Sequence, residues 1–182
     1  MADDDRARWD ARHADAGGAR TPGEPECPAV FAPYEDVFPT AGFALDVACG
    51  RGAASVWLAA RGLEVCGVDY SATALAGARR LADAHQLGDR CRFELVDLAL
   101  GLPPGPPAGV VLCHMFRQPS LYGPIIGRLG DGGVVAVAVL SEVDAHPGPF
   151  RAAAGELKAA FRSLSVIAEG EADGRAWLVA RK

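Results

Sequence analysis

The sequence has no long apolar run. Its longest, Val134 to Leu140, covers seven residues, far short of the roughly 20 that a membrane-crossing helix needs. A membrane partner is therefore not expected. It also lacks a basic excess. Eighteen Lys and Arg stand against 23 Asp and Glu, for a net charge of −5 and a pI near 5.3. The basic residues are scattered, which argues against a nucleic-acid backbone as the main partner. No C-x-x-C pair occurs among Cys27, Cys49, Cys66, Cys91 and Cys113, so a metal finger is not expected. Four of these five cysteines lie in or beside apolar segments and read as small buried thiols of a reducing compartment. The first residues, Met1-Ala2-Asp3-Asp4-Asp5, are acidic and have no apolar centre. No secretory signal is expected, and the cytoplasm is the expected location. No internal repeat is visible. At 182 residues the chain suits one domain, without room for a separate substrate domain.

What the chain does have is concentrated near Phe43-Ala44-Leu45-Asp46-Val47-Ala48-Cys49-Gly50-Arg51-Gly52. An apolar strand ends in a glycine-containing turn, and a helical segment from Ala53 to Arg61 follows. Such a turn leaves backbone N–H groups free at a helix N-terminus, and Gly50 and Gly52 let a ligand approach the backbone closely. The next apolar run, Leu63 to Val68, ends at Asp69. An acid at the tip of the second strand, about 20 residues past the turn, can accept from both hydroxyls of a ribose. The plainer role for Asp69 is a helix cap, because Ser71 opens another helical segment. A third acid, Asp97, closes the strand Arg92 to Val96.

The periodicity predicts alternation: strand 43–48, helix 52–61, strand 63–68, helix 71–86 and strand 91–96. After the Pro/Gly-rich break 101–109 come strand 110–113, helix 121–129 and strand 134–140. A mainly parallel sheet with helices on both faces follows. The tail is different. Helix 155–161 precedes strands 164–168 and 176–180, and the link Gly170 to Gly174 is too short for a crossover helix, so these strands must be antiparallel. The predicted fold class is α/β: a doubly wound, mainly parallel seven-stranded sheet with a C-terminal antiparallel hairpin. Upstream, 3–16 is predicted helical, 17–28 a loop and 31–38 a short helix.

Asp46-Val47-Ala48-Cys49-Gly50-Arg51-Gly52, Val68-Asp69 and Val96-Asp97-Leu98 together resemble the class I S-adenosylmethionine-dependent methyltransferases, from about Trp9 to the C-terminus. The resemblance implies a turn of Asp46, Ala48, Cys49, Gly50 and Gly52 wrapped around the methionine part of the cofactor. It implies Asp69 on the ribose hydroxyls and Tyr70 along the adenine. Asp97 would accept from the adenine amino group, and the Leu98 N–H would reach a ring nitrogen. Many members have glycine where this chain has Ala48. Trp9-Asp10-Ala11-Arg12-His13 is similar to the lid of small-molecule members related to tellurite-resistance and thiopurine enzymes. Trp9 is thus a cofactor-side lid residue or an apolar anchor of its helix. The expected organisation is a lid segment over 1–40 and a cofactor-binding domain over 41–182, in a single domain.

Substrate residues are expected beyond the carboxyl ends of the strands. Cys113 flanks the cofactor or packs. His114 is a general base for a hydroxyl acceptor, since its ordinary pKa lies near neutrality, or a strand-end histidine that merely lines the site. Arg117 grips a polar acceptor or is an ordinary surface arginine. Phe116 and Tyr122 wall the acceptor or pack under the loop. Ser141 to Arg151 is a long polar loop bearing Glu142, Asp144 and His146. Glu142 is an expected substrate contact and His146 a second candidate base. No resident metal is expected, since no matching acid pair stands at the fourth strand. The expected activity is methyl transfer from S-adenosylmethionine to a small-molecule hydroxyl, such as a sugar or natural product; a homodimer is one open assembly, because the sequence does not set the oligomeric state. Two other readings stay open. One is an NAD(P)-dependent oxidoreductase, because Gly50 to Ser55 loosely mimics a dinucleotide turn. The other is a non-catalytic cofactor-binding regulator.

Overall fold

The computed structural model describes residues 24–182. Eight strands form one sheet: β1 (Phe43–Val47), β2 (Glu64–Asp69), β3 (Cys91–Leu95), β4 (Ala108–His114), β5 (Leu129–Ser141), β6 (Arg151–Ala152), β7 (Ser165–Ala172) and β8 (Arg175–Arg181). Their order is β3-β2-β1-β4-β5-β8-β7, and β6 pairs with the end of β5. β8 runs antiparallel to both its neighbours; the other pairings are parallel. This is the doubly wound sheet closed by an antiparallel hairpin that the spacing of the tail predicts. The helices are α1 (Ala53–Ala60), α2 (Ala72–Ala84), α3 (Tyr122–Arg128) and α4 (Glu156–Ala160), with a 3-10 helix at Ala32–Val37.

The sheet is covered on both faces because its central strands carry apolar residues toward both sides. In β4, Val110 and Leu112 join Phe31, Phe38, Trp57 and Leu58 on one face. Val111 and Cys113 join Tyr122, Ile125, Leu157 and Phe161 on the other. The one-residue alternation of a strand sends neighbours to opposite layers. α1 and the 3-10 helix thus cover the first face, with α2 beside them around Phe93, and α3 and α4 cover the second. α1 and α2 pack so closely that a Cβ at Gly52 would stand 2.7 Å from Ala78 Cβ, with φ at +82° besides.

Three details depart from the predicted strands. β5 begins at Leu129, five residues before the apolar run. Gly133 permits this, because a Cβ there would meet the Ala108 carbonyl at 2.8 Å where the β4–β5 register shifts. The predicted loop 141–151 returns at Arg151–Ala152 to pair with Leu140 and Ser141, which adds the eighth strand. The final hairpin turns in two residues, Asp173 and Gly174, both at positive φ, so β7 runs on through Ala172 instead of ending near 168. A two-residue turn of this backbone matches the twist of the flanking strands. No helix among the described residues is long and apolar enough to cross a membrane.

Candidate active site

The chain order reverses between β1 and β4. After β1 the sheet grows outward through β2 and β3, and after β4 it grows the other way. In such sheets the crevice beyond the carboxyl ends at the reversal is where ligands bind. A cavity of about 170 Å³ lies there, lined by Asp46, Ala48, Cys49, Arg51, Leu112 and His114, among others. The turn that forms it is conformationally demanding. Ala48, Gly50 and Gly52 all have positive φ, at 56°, 54° and 82°. Ala48 therefore occupies the left-handed region at the very position where the resembled family often has glycine, at an energetic cost for a residue with a Cβ.

Asp46 is 2% exposed, and its Oδ2 accepts from the buried Ser55 hydroxyl at 2.5 Å. Burial pushes the Asp46 pKa up to about 7; the Ser55 hydrogen bond opposes this and the nearby Asp69 charge adds to it. Asp69 is pre-organised by two backbone donors, Gly50 N–H to Oδ2 at 2.8 Å and Ser71 N–H to Oδ1 at 2.9 Å. The first bond ties the second-strand acid to the glycine turn. The cap of α2 is made by Ser71, whose hydroxyl accepts from Ala74 N–H at 3.1 Å. Asp97 accepts from Ala99 N–H at 3.0 Å, and Leu98 is buried beside it. Asp69, Tyr70 and Asp97 line up along the tips of β2 and β3, next to the cavity rather than among its lining residues. Cys49 is turned inward, and a Cβ at Gly67 would meet its Sγ at 2.9 Å. Burial raises its thiol pKa well above the ordinary value.

At the end of β4, His114 packs edge-on against Phe31, with ring centroids 6.1 Å apart. Desolvation lowers its pKa, and the Arg175 charge adds to the effect, so the imidazole is neutral at pH 7. Cys113 belongs to the opposite layer, where its Sγ meets the Phe116 carbonyl at 3.4 Å. Arg117 and Tyr122 converge on one carboxylate. Arg117 Nε and Nη2 donate to Glu156 Oε1 and Oε2 at 2.8 and 2.7 Å, and the Tyr122 hydroxyl donates to Oε1 at 2.8 Å. That bidentate bridge holds the Glu156 pKa below its ordinary value. Phe116 packs on the same layer. Glu142 N–H pairs with the Ala152 carbonyl at 2.9 Å, and His146 is exposed on the loop beyond. No group of three or more His, Cys, Asp or Glu side chains comes together to hold a metal ion among the described residues. Trp9 lies outside the described residues.

Sequence reading missed Ser55, Glu26, Arg51 and Glu156. Ser55 had a signal: it is the lone polar residue of α1, Ala53-Ala54-Ser55-Val56-Trp57-Leu58-Ala59-Ala60. Glu26 lines the cavity from a proline-bearing segment, and Glu156 reaches Arg117 across 39 residues; no local pattern announces either.

Residues 44–122 match a family model described as a methyltransferase domain. The fold is similar to that of several solved structures. TehB from Haemophilus influenzae is 22% identical, with a TM-score of 0.68 over 77% of this chain and 57% of that one. Geranyl diphosphate C-methyltransferase from Streptomyces coelicolor A3(2) is 16% identical, with a TM-score of 0.72 over 99% and 97%. An O-methyltransferase family protein from Burkholderia thailandensis is 20% identical, with a TM-score of 0.65 over 84% and 56%. The chain thus spans little more than half of two of these proteins. No curated protein matches it in sequence. Residues 44–122 thus match a methyltransferase domain, and the fold around them is similar to that of the class I S-adenosylmethionine-dependent methyltransferases. S-adenosylmethionine is the cofactor of that class.

Proposed function

We propose that this protein moves a methyl group from S-adenosylmethionine to a hydroxyl oxygen of a small molecule, such as a sugar or natural product. One observation carries the reading: a buried carboxylate, Asp46, and a neutral imidazole, His114, face the same cavity at the reversal of the sheet. The donor set suits the cofactor. Asp46 is an acceptor for its ammonium group, and Asp69, already braced by Gly50 and Ser71, is an acceptor for its ribose hydroxyls. Tyr70, Asp97 and Leu98 are assigned to the adenine, as the family resemblance implies. In this reading Ala48, Cys49, Gly50 and Gly52 shape the turn, and Cys113 supports the strand tip from the other layer.

When bound, the cofactor supplies an activated methyl group, so the protein's work is alignment and exclusion of water. His114 takes the proton of the acceptor hydroxyl at an imidazole nitrogen, a role its neutral form suits. His146 is the second candidate. Arg117, Phe116, Tyr122 and Glu142 form the acceptor side. Arg117 acts there chiefly by bracing the loop after β4 against α4, since Glu156 occupies its guanidinium. Similar structures include both a C-methyltransferase and an O-methyltransferase family protein, so the choice of oxygen rests on His114. Of the segment 1–40, Phe31 and Phe38 belong to the core that covers the sheet, so in this reading the lid is the part that precedes them, with Trp9, and the protein acts in the cytoplasm.

Calorimetric titration with S-adenosylhomocysteine, with NADP and NADPH in parallel, tests the cofactor. Micromolar binding of S-adenosylhomocysteine alone is expected. Binding of a nicotinamide nucleotide instead would move the protein to the oxidoreductases. Cofactor binding without turnover on a broad panel of hydroxyl acceptors would favour the regulator.

A further inference from the structure

We propose that Ser55 is a positioning residue, whose hydroxyl keeps the Asp46 carboxylate ionised and aimed at the cationic end of the cofactor. The inference rests on the cofactor reading above and assigns a role to a residue that is not among those lining the cavity.

Three observations meet at this pair. First, Ser55 is fully buried and Asp46 is 2% exposed. A carboxylate so far from water keeps its charge only if hydrogen bonds replace the lost hydration. Second, the Ser55 hydroxyl donates to Asp46 Oδ2 at 2.5 Å, within the range of charge-assisted O–H···O bonds. Third, Ser55 is the only polar side chain in an otherwise apolar helix. A buried hydroxyl is unfavourable there unless it is partnered, and Asp46 is the partner the structure gives it. Ser55 also lies in the first turn of α1, whose N-terminal dipole favours a negative charge at that end.

The surrounding groups make the hydroxyl decisive. Asp69 on β2 opposes ionisation of Asp46, and so does burial; the Ser55 bond is the largest effect working the other way. Arg51 and Glu26 line the same cavity with opposite charges, and His114 at the end of β4 is neutral. Cys49 and Cys113 are held as thiols by burial. With Asp46 titrating at about 7, its charge near neutrality depends on the Ser55 hydroxyl first and on the Ser55 backbone N–H second. Removing the hydroxyl raises the titration midpoint by about one pH unit, a tenfold change in the proton-binding constant. At pH 7 the ionised fraction then falls about fivefold, and the affinity for a cationic ligand falls with it.

The test uses the full chain as wild type, Ser55→Ala, Ser55→Thr and Asp46→Asn, with Ser55→Ala also made in the Asp46→Asn background. The carboxyl carbon of Asp46 is followed by NMR from pH 5 to 9 without ligand. S-adenosylhomocysteine affinity is measured by calorimetry over the same range. The expected result has three parts. The Asp46 midpoint rises in Ser55→Ala and stays near wild type in Ser55→Thr. Affinity in Ser55→Ala drops about fivefold at pH 7 and recovers as pH rises past the new midpoint. In the Asp46→Asn background, Ser55→Ala has no further effect on affinity. An unmoved midpoint overturns the inference. So does an affinity loss that is equal at every pH, or one that persists in the Asp46→Asn background, since either marks a packing effect. If the midpoint moves but wild type binds no S-adenosylhomocysteine at any pH, the cofactor reading itself is overturned.

Discussion

Asp46 makes the ligand-free protein less stable at alkaline pH, by an amount the structure sets. An ordinary Asp titrates near 4 in the unfolded chain, whereas burial raises Asp46 to about 7 in the fold. The folded state therefore binds a proton that the unfolded state has already released. An acid whose folded pKa is raised lends stability at low pH and loses it as pH climbs through the folded value. Between pH 6 and 8 that loss integrates to about 1.4 kcal/mol. For a chain of this length it corresponds to roughly 3–5 °C in Tm. His114, whose pKa is lowered, works oppositely but below its ordinary value of 6.5, and it cancels when wild type is compared with Asp46→Asn. Asn keeps an acceptor for Ser55 while removing the charge. The assay is urea unfolding of both proteins at pH 6, 7 and 8. The stability difference, wild type minus Asp46→Asn, should fall by about 1.4 kcal/mol across the range. Parallel curves would refute the claim that Asp46 is desolvated in the fold.

Four further outcomes are expected. Asp69→Ala should weaken S-adenosylhomocysteine binding by about tenfold or more, through lost charge-assisted hydrogen bonds; unchanged affinity by calorimetry would remove Asp69 from the site. His114→Ala should slow turnover with little change in cofactor affinity, and the acid limb of the wild-type kcat/KM profile should lie below pH 6.5, because the pKa is lowered; near-normal turnover would reject the base. Ala48→Gly should stabilise the fold by up to about 1 kcal/mol, since relief of the left-handed strain outweighs the added freedom of the unfolded chain; a fall in Tm would show that the Ala48 methyl packs usefully. Glu156→Gln should destabilise by about 1–2 kcal/mol by weakening the bonds from Arg117 and Tyr122. The wild-type advantage should shrink as pH falls through the carboxylate range, because the Glu156 pKa is depressed; a pH-independent deficit would assign the loss to shape instead.

Much of this molecule is written in local pattern. Asp69 ends β2 and Asp97 follows β3, each after an apolar run, and a strand that ends in polar residues surfaces there; Asp46 is likewise visible after an apolar run but is buried inside β1. The link between the last two strands is too short for a crossover, and that alone fixes their antiparallel sense. Ala48 is visible in the sequence as a departure from glycine, but its positive φ is not, because backbone strain needs coordinates. What tertiary structure decided is which side each residue faces and what it meets. Cys113 and His114 are adjacent in sequence yet serve opposite layers of the sheet, a consequence of strand alternation whose sign depends on register. Arg117 and Tyr122 look like separate acceptor contacts in the sequence, and the fold joins them through Glu156. Ser55 is one small residue in a helix until α1 brings it against Asp46. By itself the sequence determined the alternating sheet, its closing hairpin and the positions of the acids, since these follow from short-range periodicity. Only the packing of α1 onto β1 and of α4 onto the loop after β4 decided the charge of Asp46 and the partner of Arg117, because desolvation and long-range ion pairing exist only once distant segments meet.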